Sequence, residues 1–256
     1  MPGIENDDRQ QPLQPISYSP GAAGNWIGNN LLSQHPAIER FLALLRLSPG
    51  GAVFNPWWQS DRVNDIGPQA PGIRRRQLRA YLYERIGTAQ LALVGEALGY
   101  RGGHFTGLAM TSERILLKGG IGSVRCKVLS TIKPQRTSRP EKIAREFSEP
   151  TAAIVWTTLL RLGMAADQFV LWNAFPWHSF DTRAGILSNR SPTKVELLAG
   201  APTLRAFIDL FPSVRFVAVG RIAASQLPSA ARVRHPASGG AALFRGQIAS
   251  LLSGDK

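Results

Sequence analysis

Four short apolar runs, each closed by a turn or loop signal, constrain the fold of this chain more than any other feature. We predict them to be buried strands, at Gln90–Val94, Gln168–Ala174, Val214–Val219 and Arg232–Arg234. Helical segments separate them along the chain. Strands that alternate with helices are typical of a parallel sheet covered on both faces. The sequence therefore predicts an α/β fold, a three-layer αβα arrangement around a central four-stranded parallel sheet.

The helices are predicted from apolar periodicity and from start and stop signals, at His35–Leu47, Ile73–Ile86, Thr151–Leu162, Thr193–Leu210 and Ala241–Leu252. Thr193 and Glu196 have the spacing of a capping box, which indicates where one helix starts. Residues 1–33 are rich in Gln, Pro, Gly, Asn and Ser, so we expect a flexible N-terminal tail. Residues 34–256 are predicted to form a single domain.

Positive charge is the second strong feature, because the formal net charge is +13. A folded domain with such an excess has a polyanion as its natural partner. Two groups of cations with little acid between them stand out: Arg74, Arg75, Arg76, Arg79 and Arg85, and then Arg125, Lys127, Lys133, Arg136, Arg139, Lys142 and Arg145. No amphipathic lipid-facing helix accompanies them, which favours nucleic acid over a membrane.

Several classes of protein are disfavoured by composition. No apolar run is long enough to span a bilayer, and the N-terminus lacks the basic start and apolar core of a signal peptide, so we expect a cytoplasmic protein. The one cysteine, Cys126, cannot form an intramolecular disulfide or hold an iron–sulfur cluster alone. We therefore expect no metal and no cofactor.

The carboxyl ends of the predicted strands are where ligands bind in parallel sheets. The first strand runs into a glycine-rich segment, Gly95–Gly107, which lacks the spacing of a dinucleotide-binding motif. The second strand delivers Asn173, whose amide can read a base edge, although a turn role is the simpler interpretation. The fourth strand ends at His235, followed by Pro236. Each residue alone is more often structural, but the three segments converge on one sheet edge.

Together these segments resemble the uracil-DNA glycosylase superfamily, over roughly residues 53–252. Gly95-Glu96-Ala97-Leu98-Gly99 is similar to the Gly-Glu-Ala-Pro-Gly form of its first motif, and Phe105-Thr106-Gly107 to the end that carries the stacking aromatic residue. Asn173 falls at the base-reading position, His235-Pro236-Ala237-Ser238 at the third motif, and Asn189–Thr193 also has a counterpart.

The resemblance implies a uracil-DNA glycosylase-like fold and a DNA repair enzyme that flips uracil out of DNA. Such an enzyme hydrolyses the N-glycosidic bond and leaves an abasic site. It further implies a monomer whose partner is uracil-containing DNA, in a bacterial cytoplasm and at the nucleoid while it acts on DNA.

Three departures from the superfamily pattern bear on the chemistry. Ala97 falls where the most studied branch has a water-activating aspartate, and Gly99 falls where that branch has the tyrosine that excludes thymine. Tyr100 is the neighbouring residue that could substitute for this tyrosine. The branches with the Gly-Glu-Ala form often hold an iron–sulfur cluster, which a single cysteine cannot bind. The chain is therefore interpreted as a divergent, cluster-free branch.

The resemblance and the side-chain chemistry assign the following roles. His235 stabilises the departing base, and Glu96 is the first choice for water activation, ahead of Asp181 and His178. The predicted substrate-binding residues are Gly95, Ala97, Tyr100, Phe105 and Asn173, with Phe105 stacking on the base. The predicted DNA contacts are Arg190, Ser238, Gly239 and Gly240, and Leu243 is considered as a wedge into the base stack.

Two alternatives stay open at the level of sequence. The alanine at Ala97 also fits a DNA- or uracil-binding protein of this fold that does not turn over. The glycine at Gly99 leaves the predicted pocket less restricted, which fits a glycosylase for another deaminated base.

Overall fold

The computed structural model describes residues 35–254, so the predicted N-terminal tail lies outside the described residues. In chain order its elements are α1 (Pro36–Leu44), β1 (Val53–Phe54), α2 (Ala70–Tyr83), β2 (Leu91–Ala97), α3 (Gly103–Thr106), α4 (Glu113–Lys118), β3 (Gly120–Ile121), β4 (Val124–Arg125), α5 (Pro150–Arg161), β5 (Phe169–Phe175), β6 (His178–Ser179), α6 (Lys194–Leu210), β7 (Arg215–Val219), α7 (Arg221–Gln226), β8 (Ala231–Val233) and α8 (Ala241–Ser253).

A parallel sheet of four strands, in the order β5-β2-β7-β8, lies at the centre. Successive residues of a strand point to opposite faces. On one face of β5, Trp172 stacks on Phe207 of α6, with ring centroids 4.9 Å apart. On the other face, Phe169 meets Trp156 of α5 edge-on at 4.8 Å. Helices thus cover both faces, and the predicted three-layer α/β fold is confirmed.

β2 is longer than predicted, because it continues through Gly95 and Glu96 to Ala97 rather than ending at Val94. These three residues have little strand preference of their own. They are held extended by the ladder to β5, in which Gly95 pairs with Asn173 and Ala97 with Phe175. The first part of the predicted glycine-rich loop is therefore a strand.

The capping box at the start of α6 is present. The Thr193 hydroxyl accepts a hydrogen bond from the Glu196 amide at 3.2 Å, and the Glu196 carboxylate accepts one from the Thr193 amide at 2.7 Å. Some short elements have no counterpart among the predicted ones. One example is the antiparallel pair β1–β6, which joins Val53 to Ser179 and Phe54 to His178.

Two of the five arginines of the first basic group are internal and a third is paired with a glutamate, which corrects the interpretation of this group as a DNA-binding surface. Arg74 is fully buried and forms two 2.8 Å hydrogen bonds to Asp65. Arg85 is also fully buried and donates to backbone carbonyls, among them that of Phe169 at 3.0 Å. Arg79 forms an ion pair with Glu39. Desolvating a cation is tolerated only when its donors are satisfied, so these arginines stabilise the fold.

Most of the second basic group is exposed. The exposed cations of this group are Arg125, Lys127, Lys133, Lys142 and Arg145. In the part of the chain from residue 35 to residue 254, no helix is both long and apolar enough to cross a bilayer.

Candidate active site

A cavity of about 540 Å³ lies at the carboxyl edge of the central sheet, as expected for a parallel sheet. It brings together the three predicted segments. Its lining includes Gly95, Glu96, Ala97, Asn173, Arg190, His235 and Ser238 from the predicted site, together with Met110, Glu149 and Asn189. Another cavity, of about 630 Å³, lies beside the β3–β4 hairpin and contains none of the predicted site residues.

Asn173 is positioned by its pairing with Gly95 on the neighbouring strand. A Cβ atom on residue 95 would lie 2.7 Å from Asn173 Oδ1, so only glycine leaves room for this side chain. Asn173 is 2% exposed, and its Nδ2 has no hydrogen-bond partner among the described residues. A buried amide nitrogen without an acceptor is costly. It is a donor available to a molecule in the cavity.

His235 presents one ring nitrogen as a donor. Its Nδ1 accepts a hydrogen bond from the Ala237 amide at 3.1 Å, which places the proton of the neutral ring on Nε2. Burial lowers the pKa of His235, and Arg234 lowers it further, against the opposing effect of Glu96. The ring is therefore neutral at neutral pH, with Nε2–H free to donate.

The turn after His235 is held in a fixed shape. Ser238 and Gly239 both have positive φ, at 50° and 76°, and both are exposed at the cavity rim or beside it. Gly240 is buried at the start of α8, where a Cβ atom would overlap the His235 carbonyl oxygen. This glycine is required so that the backbone can fold back onto His235.

Two carboxyl groups share the cavity. Glu96, at the end of β2, is close enough to His235 to influence its pKa. Glu149 immediately precedes α5, and burial raises the pKa of its carboxyl to about 7. Its Oε2 is buried without a hydrogen-bond partner in the described part of the chain. The sequence does not indicate Glu149 as a site residue, because an acidic residue before a Pro-initiated helix is an ordinary helix start.

Met110 is another cavity residue that the sequence does not indicate. Its φ of 44° is unusual for a residue other than glycine, and its Sδ would lie 3.4 Å from a Cβ atom on Gly95.

Phe105, the predicted stacking residue, is fully buried, and its ring stacks on that of Phe147, with the ring centroids 4.9 Å apart. The structure does not bring Phe105 to the cavity, since it lies inside the short helix α3.

His178 and Asp181 also lie away from the cavity lining. His178 is buried and donates from Nε2 to the Ser188 carbonyl at 2.7 Å, so its Nδ1 accepts from His104 Nδ1 at 3.0 Å. Burial lowers the pKa of His178 to about 4, so this ring is neutral at neutral pH. Asp181 is exposed, and its Oδ1 accepts from the Arg183 amide at 2.8 Å. Both side chains therefore form hydrogen bonds that hold neighbouring segments in place.

Arg190 contributes to the cavity wall, but its guanidinium is already engaged. It forms hydrogen bonds of 2.8 and 2.6 Å to Glu196 and donates to the carbonyls of Phe180 and Ala52.

Tyr100 is not among the lining residues, and its amide donates to Asn189 Oδ1 at 3.0 Å. Leu243 is 61% exposed on the surface of α8, outside the cavity. Within residues 35–254, no three His, Cys, Asp or Glu side chains are grouped as metal ligands.

Helices thus cover both faces of the central sheet, and the cavity lies at its carboxyl edge. A similar solved structure is that of wild-type SMUG2 from Pedobacter heparinus, with a TM-score of 0.54 and 13% sequence identity over 85% of this chain and 97% of that chain. This similarity confirms the predicted uracil-DNA glycosylase-like fold. The sequence matches no protein-family model, and no curated protein is significantly similar to it.

Proposed function

We propose that this protein is a DNA glycosylase that hydrolyses the N-glycosidic bond of uracil in DNA and leaves an abasic site. One observation carries the proposal: Asn173, whose Nδ2 is buried and has no partner in the described part of the chain, and a neutral His235 with its proton on Nε2 line the same cavity. The cavity volume of about 540 Å³ falls within the range typical of small-molecule sites. It is large enough for one flipped base.

Asn173 supplies the selectivity for uracil. Its Nδ2 donates to uracil O4, and its Oδ1 accepts from N3–H. Cytosine presents the opposite donor and acceptor pattern at this edge, so it would leave buried groups unpaired. Met110, which lies against the same part of β2, packs its thioether on the base, a contact of roughly 0.3–1.5 kcal/mol. It takes the place that the sequence analysis gave to Phe105.

His235 stabilises the base as it leaves. When the bond between C1′ and N1 breaks, its electron pair goes to the base, and negative charge builds on O2. The Nε2–H of His235 donates to this oxygen, an effect on the order of 3 kcal/mol for one well-placed donor. Water then bonds to C1′ of the oxocarbenium-like sugar, and Glu96 accepts its proton. Asp181 and His178 are not retained as water activators, because they do not line the cavity.

Exposed cations support binding to the DNA backbone. Ser238 and Gly239 are exposed near the cavity and remain proposed phosphate contacts, whereas Arg190 is occupied by Glu196. The proposal includes a monomer that acts on DNA in the cytoplasm and needs no cofactor.

The test is an assay for alkali-labile sites in single- and double-stranded DNA that contains one uracil, without added metal. We expect cleavage by the wild-type protein and a rate at least about 100-fold lower for His235→Ala, since removal of one such donor costs roughly that much. His35→Ala, at the start of α1 and outside the cavity, is the matched control and should retain the wild-type rate.

Intact uracil-containing DNA after prolonged incubation with excess wild-type protein would contradict the proposal. Tight DNA or uracil binding without base release would then favour the non-catalytic alternative. Release of a different deaminated base from a panel of lesion-bearing oligonucleotides would favour the glycosylase with another substrate, for which Gly99 is the relevant sequence feature.

A further inference from the structure

Glu149 lies against the turn that follows β2, where two glycines have no side chains to fill the space. A Cβ atom on Gly102 would overlap Glu149 Oε2, and one on Gly99 would lie 3.4 Å from Oε1. Gly102 therefore leaves the space that the carboxyl group occupies here, and Gly99 lies beside the same group. At residue 99 the resemblance predicts the position of a side chain that screens the base, and here the neighbouring group is a carboxyl instead.

Among the described residues, the fold supplies no hydrogen-bond partner for one oxygen of this carboxyl group. Its Oε2 is buried without a partner in the described residues, although the side chain lines the cavity. The other titratable or charged groups of the cavity are Glu96, Arg190 and His235. None of the hydrogen bonds or ion pairs found for these groups involves Glu149; Arg190, for example, is paired with Glu196. A buried carboxyl oxygen without a partner is costly, so a ligand in the cavity is the natural partner.

We propose that Glu149 is a specificity-determining residue whose protonated carboxyl group donates a hydrogen bond to a carbonyl oxygen of the bound base. This inference rests on the proposed function, because it concerns the base in the same cavity. It divides the two carboxyl groups by environment. Glu96 is the proposed proton acceptor, and Glu149, whose Oε2 atom is buried without a partner among the described residues, acts as a neutral donor.

Protonation of Glu149 is consistent with its surroundings. Burial disfavours the ionised form and raises the pKa to about 7. The donor is thus present at and below neutral pH and is lost as the pH rises above about 7. Base binding should weaken over the same range, since an ionised carboxylate would repel a carbonyl oxygen.

The experiment measures binding of free uracil by calorimetry between pH 6 and 8.5, together with single-turnover cleavage of uracil-containing DNA. For the wild-type protein we expect the dissociation constant of uracil to rise roughly tenfold for each pH unit above the pKa of Glu149. Glu149→Gln keeps a donor at every pH, so its affinity should be independent of pH over this range. Glu149→Ala should bind roughly tenfold more weakly than wild type at pH 6.

The matched control is Glu146→Gln, the same chemical change three residues away on an ion pair with Lys118 outside the cavity. It should follow the wild-type pH profile. The inference is overturned if both Glu149 variants retain the wild-type profile. It is also overturned if wild-type cleavage rises with pH through 7 and Glu149→Gln abolishes it, because that result would assign an ionised, proton-accepting role.

The two readouts separate this inference from the proposed function. Cleavage by wild type with no effect of Glu149 substitution would leave the glycosylase proposal standing and remove the specificity role. Uracil binding that depends on Glu149 and pH, without cleavage, would support the specificity role and contradict the glycosylase proposal. Absence of both binding and cleavage would overturn both proposals.

Discussion

Asn173 Nδ2 and Glu149 Oε2 are both buried polar atoms that lack a hydrogen-bond partner within residues 35–254, and both residues line one cavity. Folded proteins rarely leave buried polar groups unpaired, since each one lowers stability. When two such groups line the same cavity, a bound ligand that pairs with both is the simplest explanation. The polar atoms that lower the stability of the free protein are therefore the ones that we propose to bind the base.

The cost of Glu149 can be measured through its effect on stability. Because its pKa is about 7 in the folded state and near 4.5 when unfolded, the folded state binds this proton more tightly. Its contribution to the free energy of unfolding is fully present below pH 4.5 and is lost as the pH rises to about 7. Relative to wild type, Glu149→Gln should therefore be more stable at pH 8 than at pH 5.

Urea denaturation at the two pH values checks this prediction. Glu146→Gln is the control, and it should show no such gain at pH 8, because Glu146 is partly exposed and its pKa is lowered by a backbone hydrogen bond and by Lys118. An equal stability difference between Glu149→Gln and wild type at both pH values would mean that the Glu149 carboxyl titrates normally.

Individual site residues differed in how far the sequence could predict them. The place of Asn173 and His235 at the cavity could be predicted, because Asn173 lies near the end of β5, His235 follows β8, and parallel strands share a carboxyl edge. Met110 and Glu149 could not, because their place in the cavity depends on a turn and a helix start whose path is set by tertiary packing. Phe105 has the expected residue type, but its ring is covered by Phe147.

At the scale of elements, long strands and helices could be predicted, whereas short connections and strand ends could not. The apolar runs of β2 and β5 indicate their centres. The extension of β2 through Gly95 depends on its pairing with Asn173, a contact between residues far apart in the chain. The two-residue strands β1 and β6 carry too little pattern to be recognised.

Helix α2 stabilises the connecting segments through Arg74, which donates to the carbonyls of Gln59 and His104 and pairs with Asp65. Arg74→Ala leaves the Asp65 carboxylate buried and unpaired, so we expect a loss of about 3–5 kcal/mol in the free energy of unfolding. Denaturation in urea measures it. Arg76→Ala, on the same helix but partly exposed, is the control, with an expected change within about 0.5 kcal/mol.

A loss below about 1 kcal/mol for Arg74→Ala would contradict the structural role. In that case Arg74 would have to be reconsidered as part of a binding surface, which its complete burial argues against.

For the whole molecule, the net charge of +13 overstates the surface that is available to DNA. Arg74 and Arg85 are internal, and Arg79 and Arg190 are paired with glutamates. The exposed cations of the segment after β4 remain, and this segment leads directly into Glu149 at the cavity. We therefore expect a DNA backbone at the cavity to contact Lys142 and Arg145, which are exposed and shortly precede Glu149 in the chain.

This geometry predicts which cations control the salt dependence of DNA binding. Each phosphate contact contributes a slope of about −0.9 to the logarithm of affinity against the logarithm of salt concentration for duplex DNA. Removing Lys142 and Arg145 together, as alanines, should make the slope shallower by up to about 1.8. Fluorescence anisotropy with undamaged duplex DNA measures binding without interference from base release.

Arg161→Ala is the matched control, because Arg161 is exposed at the end of α5. The chain enters β5 soon afterwards, which places Arg161 at the amino edge of the sheet, opposite the cavity. Its removal should leave the slope unchanged. An equal change for Arg161→Ala and for the double variant would mean that DNA is held by diffuse charge over the whole molecule. A change confined to the double variant would place the DNA backbone beside the cavity that contains Asn173 and His235.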